Sequence, residues 1–146
     1  MGHDAVEIDF VMPWVDGSDP AWREEFLKYR ALQAPQGEPA CDTGTAAGAV
    51  DASEERYRDW DTLRYWFRGV ERFAPWVNRI HFITWGHLPA WLDTAHPKLH
   101  VVRHADYIPS PYLPTFNSCP IELNMHRIEG LAEHFVYFND DTFLCR

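Results

Sequence analysis

An abrupt change from apolar to acidic residues decides the fold, in the stretch His134-Phe135-Val136-Tyr137-Phe138-Asn139-Asp140-Asp141. The β-prone and aromatic residues predict a buried strand, which places the acids at its carboxyl-terminal end. Ligands of open α/β sheets bind at that edge. Two adjacent carboxylates repel each other there, and a divalent cation or a substrate proton would relieve the repulsion. The pattern is typical of an enzyme or of part of one.

The rest of the chain alternates between strand and helix patterns. We predict strands over 8–15, 79–84 and 99–103 and helices over 21–32, 60–73 and 120–129. Pro13 indicates an edge position or a bend in the first strand. Asp19 is placed to cap the first helix. Cys119 and Glu122 have a spacing that resembles a capping box at the start of the last helix. This order favours a single α/β domain with a mostly parallel sheet.

Composition excludes several classes of protein. The 146 residues have room for one core, and 46% of them are hydrophobic. The net charge of -9 argues against general nucleic-acid binding, which needs clustered positive charge. Residues 33–53 are rich in Ala, Gly, Pro and Thr and predict a flexible connection or a mobile lid.

The cysteines and the N-terminus indicate a cytoplasmic protein. Cys41, Cys119 and Cys145 have unrelated spacings, which favours reduced thiols over a disulfide or a zinc site. Residues 1–4 show no signal peptide. No apolar run approaches the roughly 20 residues that span a bilayer, so any membrane association would be peripheral, at the inner face.

Polar or glycine-containing segments follow each predicted strand. They are Asp16-Gly17-Ser18-Asp19, Thr84-Trp85-Gly86-His87, Arg103-His104-Ala105-Asp106 and Asn139-Asp140-Asp141. In a parallel sheet these four segments meet at one edge and form a plausible site. Gly17 would let a ligand approach the backbone closely, or it belongs to an ordinary turn before a capped helix.

Asp140 and Asp141 are candidate metal ligands, or they begin a solvated loop or cap a further helix. Magnesium is favoured over zinc, because the neighbouring groups are oxygen donors and no Cys/His cluster has ligand spacing. Asn117 and Ser118 open the last predicted helix, where backbone N–H groups are suited to bind phosphate.

Three further side chains are candidates for acid–base work or phosphate binding. Glu122 and His126 are four residues apart on the last predicted helix, so they share a face and are either a catalytic or a structural pair. Arg64, Arg68 and Arg72 form a stripe that is by default solvated, and Arg64 is the one expected to turn toward a phosphate.

Several motifs resemble a known family. Residues 8–20, which read IDFVMPWVDGSDP, are similar to the first conserved region of the Stealth family. Residues 58–141 resemble the second region through Leu63-Arg64-Tyr65, Ala74-Pro75-Trp76, Ile83-Thr84-Trp85-Gly86-His87, Phe116-Asn117-Ser118 and Phe138-Asn139-Asp140-Asp141. The resemblance covers nearly the whole chain except 33–53. The family continues into third and fourth conserved regions, so we expect the N-terminal part of a longer catalytic domain.

The resemblance implies a hexose-1-phosphate transferase of capsular or exopolysaccharide biosynthesis. It implies a Rossmann-like, glycosyltransferase-A-related fold, a nucleotide-sugar donor such as UDP-GlcNAc, a saccharide acceptor, and Mg²⁺ or Mn²⁺. The residues implied to bind substrate are Asp16, Gly17, Asp19, Arg64, Asn117, Ser118 and Asn139. Those implied in catalysis are Glu122, His126, Arg127, Asp140 and Asp141, and the last two would also bind metal.

Two other functions fit the same residues. One is a metal-dependent glycosyltransferase that forms a glycosidic bond and releases the nucleoside diphosphate. The other is a non-catalytic remnant that still binds a nucleotide-sugar.

Overall fold

A computed structural model describes residues 6–33, 57 and 59–145 of the chain. The connection predicted over 33–53 lies outside these residues apart from its first position. The N-terminal residues 1–4 and Cys41 also lie outside them.

The described residues contain one open, all-parallel sheet of four strands in the order β3-β2-β1-β4. The strands are β1 (Ile8–Pro13), β2 (Ile80–Thr84), β3 (Leu99–Arg103) and β4 (His134–Tyr137). This confirms the predicted α/β class. The strand order 3-2-1-4 is that of a Rossmann-like sheet, and it changes direction between β1 and β4.

Pro13 does not mark an edge strand. β1 lies between β2 and β4, so the edge interpretation is wrong. Pro13 is the last residue of β1, where a missing N–H group disturbs the ladder least. The ladder continues past it, since Trp14 N donates to the carbonyl oxygen of Ile83 at 2.9 Å.

The predicted helices are present, with changed ends. They are α1 (Pro20–Gln33), α2 (Leu63–Phe73) and α4 (Ser118–Leu123). The short helix α3 (His104–Tyr107) was not predicted, and 3-10 turns lie at Ser110–Tyr112 and Met125–Arg127. α1 begins as predicted, because Asp19 Oδ1 accepts from Trp22 N at 2.8 Å. α4 is much shorter than predicted, since it ends at Leu123 instead of reaching residue 129.

The start of α4 also differs from the prediction. Asn117, not Cys119, is the capping residue, and its Oδ1 accepts from Cys119 N at 3.0 Å. An amide oxygen is a much better acceptor than a thiol, so the Asn two positions earlier takes the capping role.

Both faces of the sheet are covered near its centre. On one face Leu63, Trp66 and Val70 of α2 pack against Phe10 and Phe82. The opposite face packs Val11, Ile83 and Val102 against buried residues that follow β3 and α4, namely Tyr107, Ile108, Met125 and Ile128. This three-layer arrangement explains why β1 and β2 are nearly continuous runs of buried residues.

β4 is not the buried strand that its apolar sequence predicts. It forms one edge of the sheet, and Phe135 and Val136 are each 41% exposed. The sequence shows β-prone side chains, but the number of neighbours that a strand has is decided by topology, which periodicity does not reveal.

Two further findings concern the surface. Cys119 and Cys145 are free, exposed thiols. No helix in the described ranges is long and apolar enough to cross a lipid bilayer.

Candidate active site

The carboxyl-terminal ends of the strands meet at one edge, as the sequence predicted, and a cavity of about 390 Å³ lies there. It is lined by Trp14 and Val15 after β1, by Tyr137 and Asn139 at the end of β4, and by the segment 115–118. The cavity is therefore at the point where the strand order reverses, where open α/β sheets bind ligands. Its volume is in the range of small-molecule sites.

The turn after β1 uses its acids for local structure. Asp16 Oδ1 accepts from Ser18 N at 2.8 Å and from Ser18 Oγ at 2.6 Å, while Asp19 caps α1. Asp16 N in turn donates to Nε2 of His87 at 2.8 Å, which joins the ends of β1 and β2. Asp16 and Asp19 therefore shape the rim, and neither lines the cavity.

Gly17 is required by another part of the chain. Its N–H donates to the carbonyl oxygen of Tyr57 at 2.8 Å, and a Cβ at this position would lie 2.4 Å from that oxygen. The close backbone approach anticipated from the sequence exists, but the described partner is Tyr57. Tyr57 itself lines the cavity and donates from its hydroxyl to the carbonyl oxygen of Phe116 at 2.8 Å.

Asn117, Ser118 and Glu122 of the segment that forms α4 also line the cavity. Glu122 Oε1 accepts from the hydroxyl of Tyr137 at 3.1 Å, so a carboxylate from α4 and a phenol from β4 meet across the cavity. Burial raises the pKa of Tyr137 well above its usual value, and the Glu122 carboxylate adds to the shift. Tyr137 therefore remains a neutral hydrogen-bond donor.

His126 and Arg127 do not line the cavity beside Glu122. The predicted pair Glu122–His126 is wrong because α4 ends at Leu123, and the following 3-10 turn destroys the four-residue helical spacing. His126 is exposed, and its Nδ1 is 3.0 Å from the carbonyl oxygen of Leu123. Neither His126 nor Arg127 lines the cavity.

Arg64 also lies away from the cavity. Its Nε is 3.8 Å from Asp61, and its guanidinium lies over the ring of Trp91 at 5.3 Å. This is the solvated, paired arrangement expected by default for the arginine stripe. A second hollow of about 720 Å³ lies between Arg68 and Arg72 of α2 and the segment Phe143-Leu144, and it shares no lining residue with the cavity at the strand ends.

Asn139 and Asp140 line the cavity where β4 ends. Partial burial raises the pKa of Asp140, and the neighbouring carboxylates of Asp141 and Asp59 raise it further. The described residues hold no group of three His, Cys, Asp or Glu side chains placed around one ion. Two adjacent carboxylates still fit Mg²⁺, which usually binds proteins through one or two carboxylates and takes other oxygens from substrate phosphates.

Sequence reasoning did not single out three residues of this edge: Trp14, His87 and His104. Trp14 and His104 line the cavity, and the rings of Trp14 and His87 are 5.1 Å apart. His87 and His104 belong to strand-end segments that were predicted to be functional. A single histidine in a turn is too common to stand out, so only the structure separates these side chains from their neighbours.

The sequence comparisons agree with this architecture. Residues 6–32 match Stealth protein conserved region 1, and residues 56–146 match Stealth protein conserved region 2. The chain belongs to the Stealth family. The cavity of this Stealth chain is bounded by both matched regions, since Trp14 lies in the first and Asn117 and Asp140 lie in the second.

Several relatives of this Stealth chain carry the name polysaccharide phosphotransferase. The chain is 56% identical to capsular polysaccharide phosphotransferase WcwK of Streptococcus pneumoniae over 137 residues. It is 47% identical to receptor polysaccharide phosphotransferase WefC of Streptococcus oralis over 144 residues. Each alignment covers 94% of this chain and 38% of the relative. Capsular polysaccharide phosphotransferase CpsJ of Streptococcus thermophilus is 49% identical, with 53% of its length covered.

Proposed function

We propose that this chain is the nucleotide-sugar-binding part of a phosphotransferase. The enzyme moves a hexose-1-phosphate, such as GlcNAc-1-phosphate, from a nucleotide-sugar to a sugar hydroxyl in a capsular or related polysaccharide. The observation that carries the proposal is the cavity at the switch point of a Stealth-family sheet, with Asp140 and Glu122 on its walls.

In the proposed reaction, the acceptor hydroxyl attacks the phosphorus that is bonded to the hexose. The bond from that phosphorus to the nucleoside monophosphate breaks, a phosphodiester forms, and the nucleoside monophosphate leaves. Glu122 is suited to take the proton of the hydroxyl, because it lines the cavity and Tyr137 fixes its position. Asn117, Ser118 and Asn139 supply neutral polar contacts that orient the phosphates.

The charge balance of the cavity supports a bound cation. Among the described residues that line it there is no Lys or Arg, whereas Glu122 and Asp140 are acidic. The diphosphate group of a nucleotide-sugar would add negative charge to this site. Mg²⁺ or Mn²⁺ held by Asp140 and Asp141 would neutralise the phosphates as the new bond forms.

We expect Asp140→Asn and Asp141→Asn each to weaken metal-dependent binding of UDP-GlcNAc by about tenfold or more, since each removes a charged ligand. Isothermal titration calorimetry with and without Mg²⁺ measures this. Glu24→Gln is the matched control, because Glu24 is an exposed acid paired with Lys28 on α1. Unchanged metal-dependent affinity in both aspartate variants would contradict the assignment.

Product analysis separates transfer of a sugar phosphate from transfer of a sugar. A phosphodiester in the saccharide product gives a ³¹P signal and is accompanied by a nucleoside monophosphate. A glycosidic product contains no phosphorus and is accompanied by a nucleoside diphosphate. Release of the diphosphate would therefore overturn the proposed chemistry, and binding without any product would favour a binding module.

A further inference from the structure

Unpartnered buried nitrogens are concentrated at the edge of the sheet that holds the cavity. Among the described side chains, four nitrogens are buried without a hydrogen-bond partner. One is Trp66 Nε1, which lies in the core on α2. The other three, Trp14 Nε1, His87 Nδ1 and His104 Nδ1, follow the neighbouring strands β1, β2 and β3 respectively. Trp14 is only 8% exposed, yet it lines the cavity. Buried polar atoms nearly always have partners, so a cluster of exceptions at one edge indicates a place where a ligand binds.

The two ring nitrogens of His104 have different surroundings. His104 begins α3 directly after β3 and lines the cavity. Its Nδ1 is enclosed, whereas Nε2 is not among the fully buried atoms and hydrogen-bonds to no described residue. Nε2 is therefore the nitrogen that remains accessible at the surface of the cavity.

His104 is neutral near pH 7. Burial and, to a smaller extent, the neighbouring His87 lower the pKa of its imidazole to about 4. An enclosed N–H group without an acceptor is rarer and more costly than an enclosed lone pair. The single proton therefore belongs on Nε2, which makes His104 an uncharged donor at the cavity surface.

The surroundings of this donor suit a planar, uncharged group better than a phosphate. Trp14, Trp22 and Phe116 line the same cavity, so it has aromatic walls. Asp16 and Asp19 lie close enough to His87 to affect its titration, and their negative charge disfavours an anion on this side. A heterocyclic base offers flat apolar faces and carbonyl oxygens, which match aromatic walls and a neutral donor.

We propose that His104 binds the base of the nucleotide-sugar, with its Nε2–H donating to a carbonyl oxygen of the base. The proposal rests on the proposed function, because it assigns a residue to the base of that donor substrate. The diphosphate then extends toward Asn117, Asn139 and Asp140, which line the same cavity.

Substitution of His104 by Asn or by Gln tests which ring nitrogen binds the base. A Gln side chain can place its N–H₂ near the position of Nε2, whereas the shorter Asn reaches only the position of Nδ1. His104→Asn should weaken binding of both UDP and uridine by about tenfold, the value of one neutral hydrogen bond. His104→Gln should retain most of the affinity. Inorganic pyrophosphate, measured with Mg²⁺, should bind both variants as it binds the original chain.

The possible outcomes are distinct. Equal affinity of His104→Asn and the original chain for uridine would overturn the role of His104 and leave the proposed function intact. Loss of pyrophosphate and uridine binding to the same extent would show a general disturbance of the cavity and also contradict it. An original chain that binds neither UDP nor UDP-GlcNAc would overturn both proposals.

A measurement on the unsubstituted chain covers the case in which a variant fails to fold. Long-range ¹H–¹⁵N NMR distinguishes the two tautomers of a histidine. We expect His104 to carry its proton on Nε2 and to shift when uridine is added, but not when pyrophosphate is added. A proton on Nδ1, or no response to uridine, would contradict the proposal.

Discussion

Gly17 shows how a glycine can be required by the chain itself. The carbonyl oxygen of Tyr57 lies 2.4 Å from the position of an added Cβ, so a side chain forces two backbone segments apart. We expect Gly17→Ala to lower the free energy of unfolding by about 1–3 kcal/mol, the usual cost of overpacking. Urea unfolding followed by circular dichroism measures it.

Gly69 supplies the control for that substitution. An added Cβ there meets the carbonyl oxygen of Leu144 at 3.4 Å, an ordinary contact distance. Gly69 also lies inside α2, where Ala is preferred over Gly by about 1 kcal/mol. Gly69→Ala should therefore be neutral or stabilising. An equal decrease in the free energy of unfolding in the two variants would contradict the role assigned to Tyr57.

At the scale of elements, the side chain of Asp9 in β1 is hydrogen-bonded to three other segments of the chain. The carboxylate is fully buried, and it accepts from Asn78 Nδ2, Ala132 N and His81 Nε2, each at 2.8 Å. His81 Nδ1 is 3.0 Å from His100 Nδ1, which extends the network from β1 through β2 to β3. Burial alone would raise the pKa of Asp9, but these hydrogen bonds together outweigh it and lower the pKa.

Removing the charge of Asp9 should therefore weaken the sheet. We expect Asp9→Asn to cost about 3 kcal/mol in the free energy of unfolding, because an amide N–H₂ replaces one of the two accepting oxygens and faces a buried donor. Glu24→Gln makes the same chemical change in the exposed pair with Lys28 and should cost nothing measurable. A similar small effect in both variants would show that the network is not stabilising.

The buried histidines predict how stability depends on pH. Burial lowers the pKa of His81, His87 and His104, whereas the unfolded chain titrates near pH 6.5. Below that pH the unfolded chain binds protons that the folded chain does not, so the free energy of unfolding falls as the pH is lowered. The fall is at most about 1.4 kcal/mol per pH unit for each imidazole and less for those that are partly exposed.

Urea unfolding between about pH 8 and pH 5 tests this dependence. The contribution of His104 should continue down to a pH of about 4, where the folded chain also binds its proton. His104→Asn should have a shallower dependence than the original chain. A free energy of unfolding that rises on acidification would contradict the lowered pKa values of these histidines.

Local sequence signals predicted where the helices and strands lie better than they predicted which other elements each one contacts. β3 was placed at its observed bounds, and the cap of α1 was correct, because alternation of apolar residues and capping chemistry are local properties. The exposure of β4 depends on the strand order, which contacts far along the chain decide. The pair Glu122–Tyr137 could not be predicted, because it joins elements whose arrangement only the folded sheet defines.

At the scale of the whole molecule, parallel topology is what assembles the site. Trp14, His104 and Asp140 are distant in sequence, and they line one cavity because each follows a parallel strand. The prediction that the polar strand ends meet at one edge is confirmed by the parallel sheet. The sequence could not rank the residues within this edge, since Arg64 and His126 have suitable chemistry but side-chain directions that lead elsewhere.

The same topology leaves β4 at an edge. One side of β4 pairs with β1, and no strand among the described residues pairs with its other side, beside the partly exposed Phe135 and Val136. Such an edge favours strand pairing between molecules. The net charge of -9 opposes association by repulsion, but salt at roughly 0.15 M screens it beyond about 8 Å.

We therefore expect the chain to associate as its concentration rises, and Val136→Lys to prevent this by placing a charge on the edge. Val6→Lys is the control, because Val6 is 63% exposed but precedes β1. Sedimentation velocity over a range of concentrations measures the association. If Val6→Lys suppresses it as strongly as Val136→Lys, general surface hydrophobicity rather than the β4 edge causes the association, because only Val136 lies where a second strand can pair.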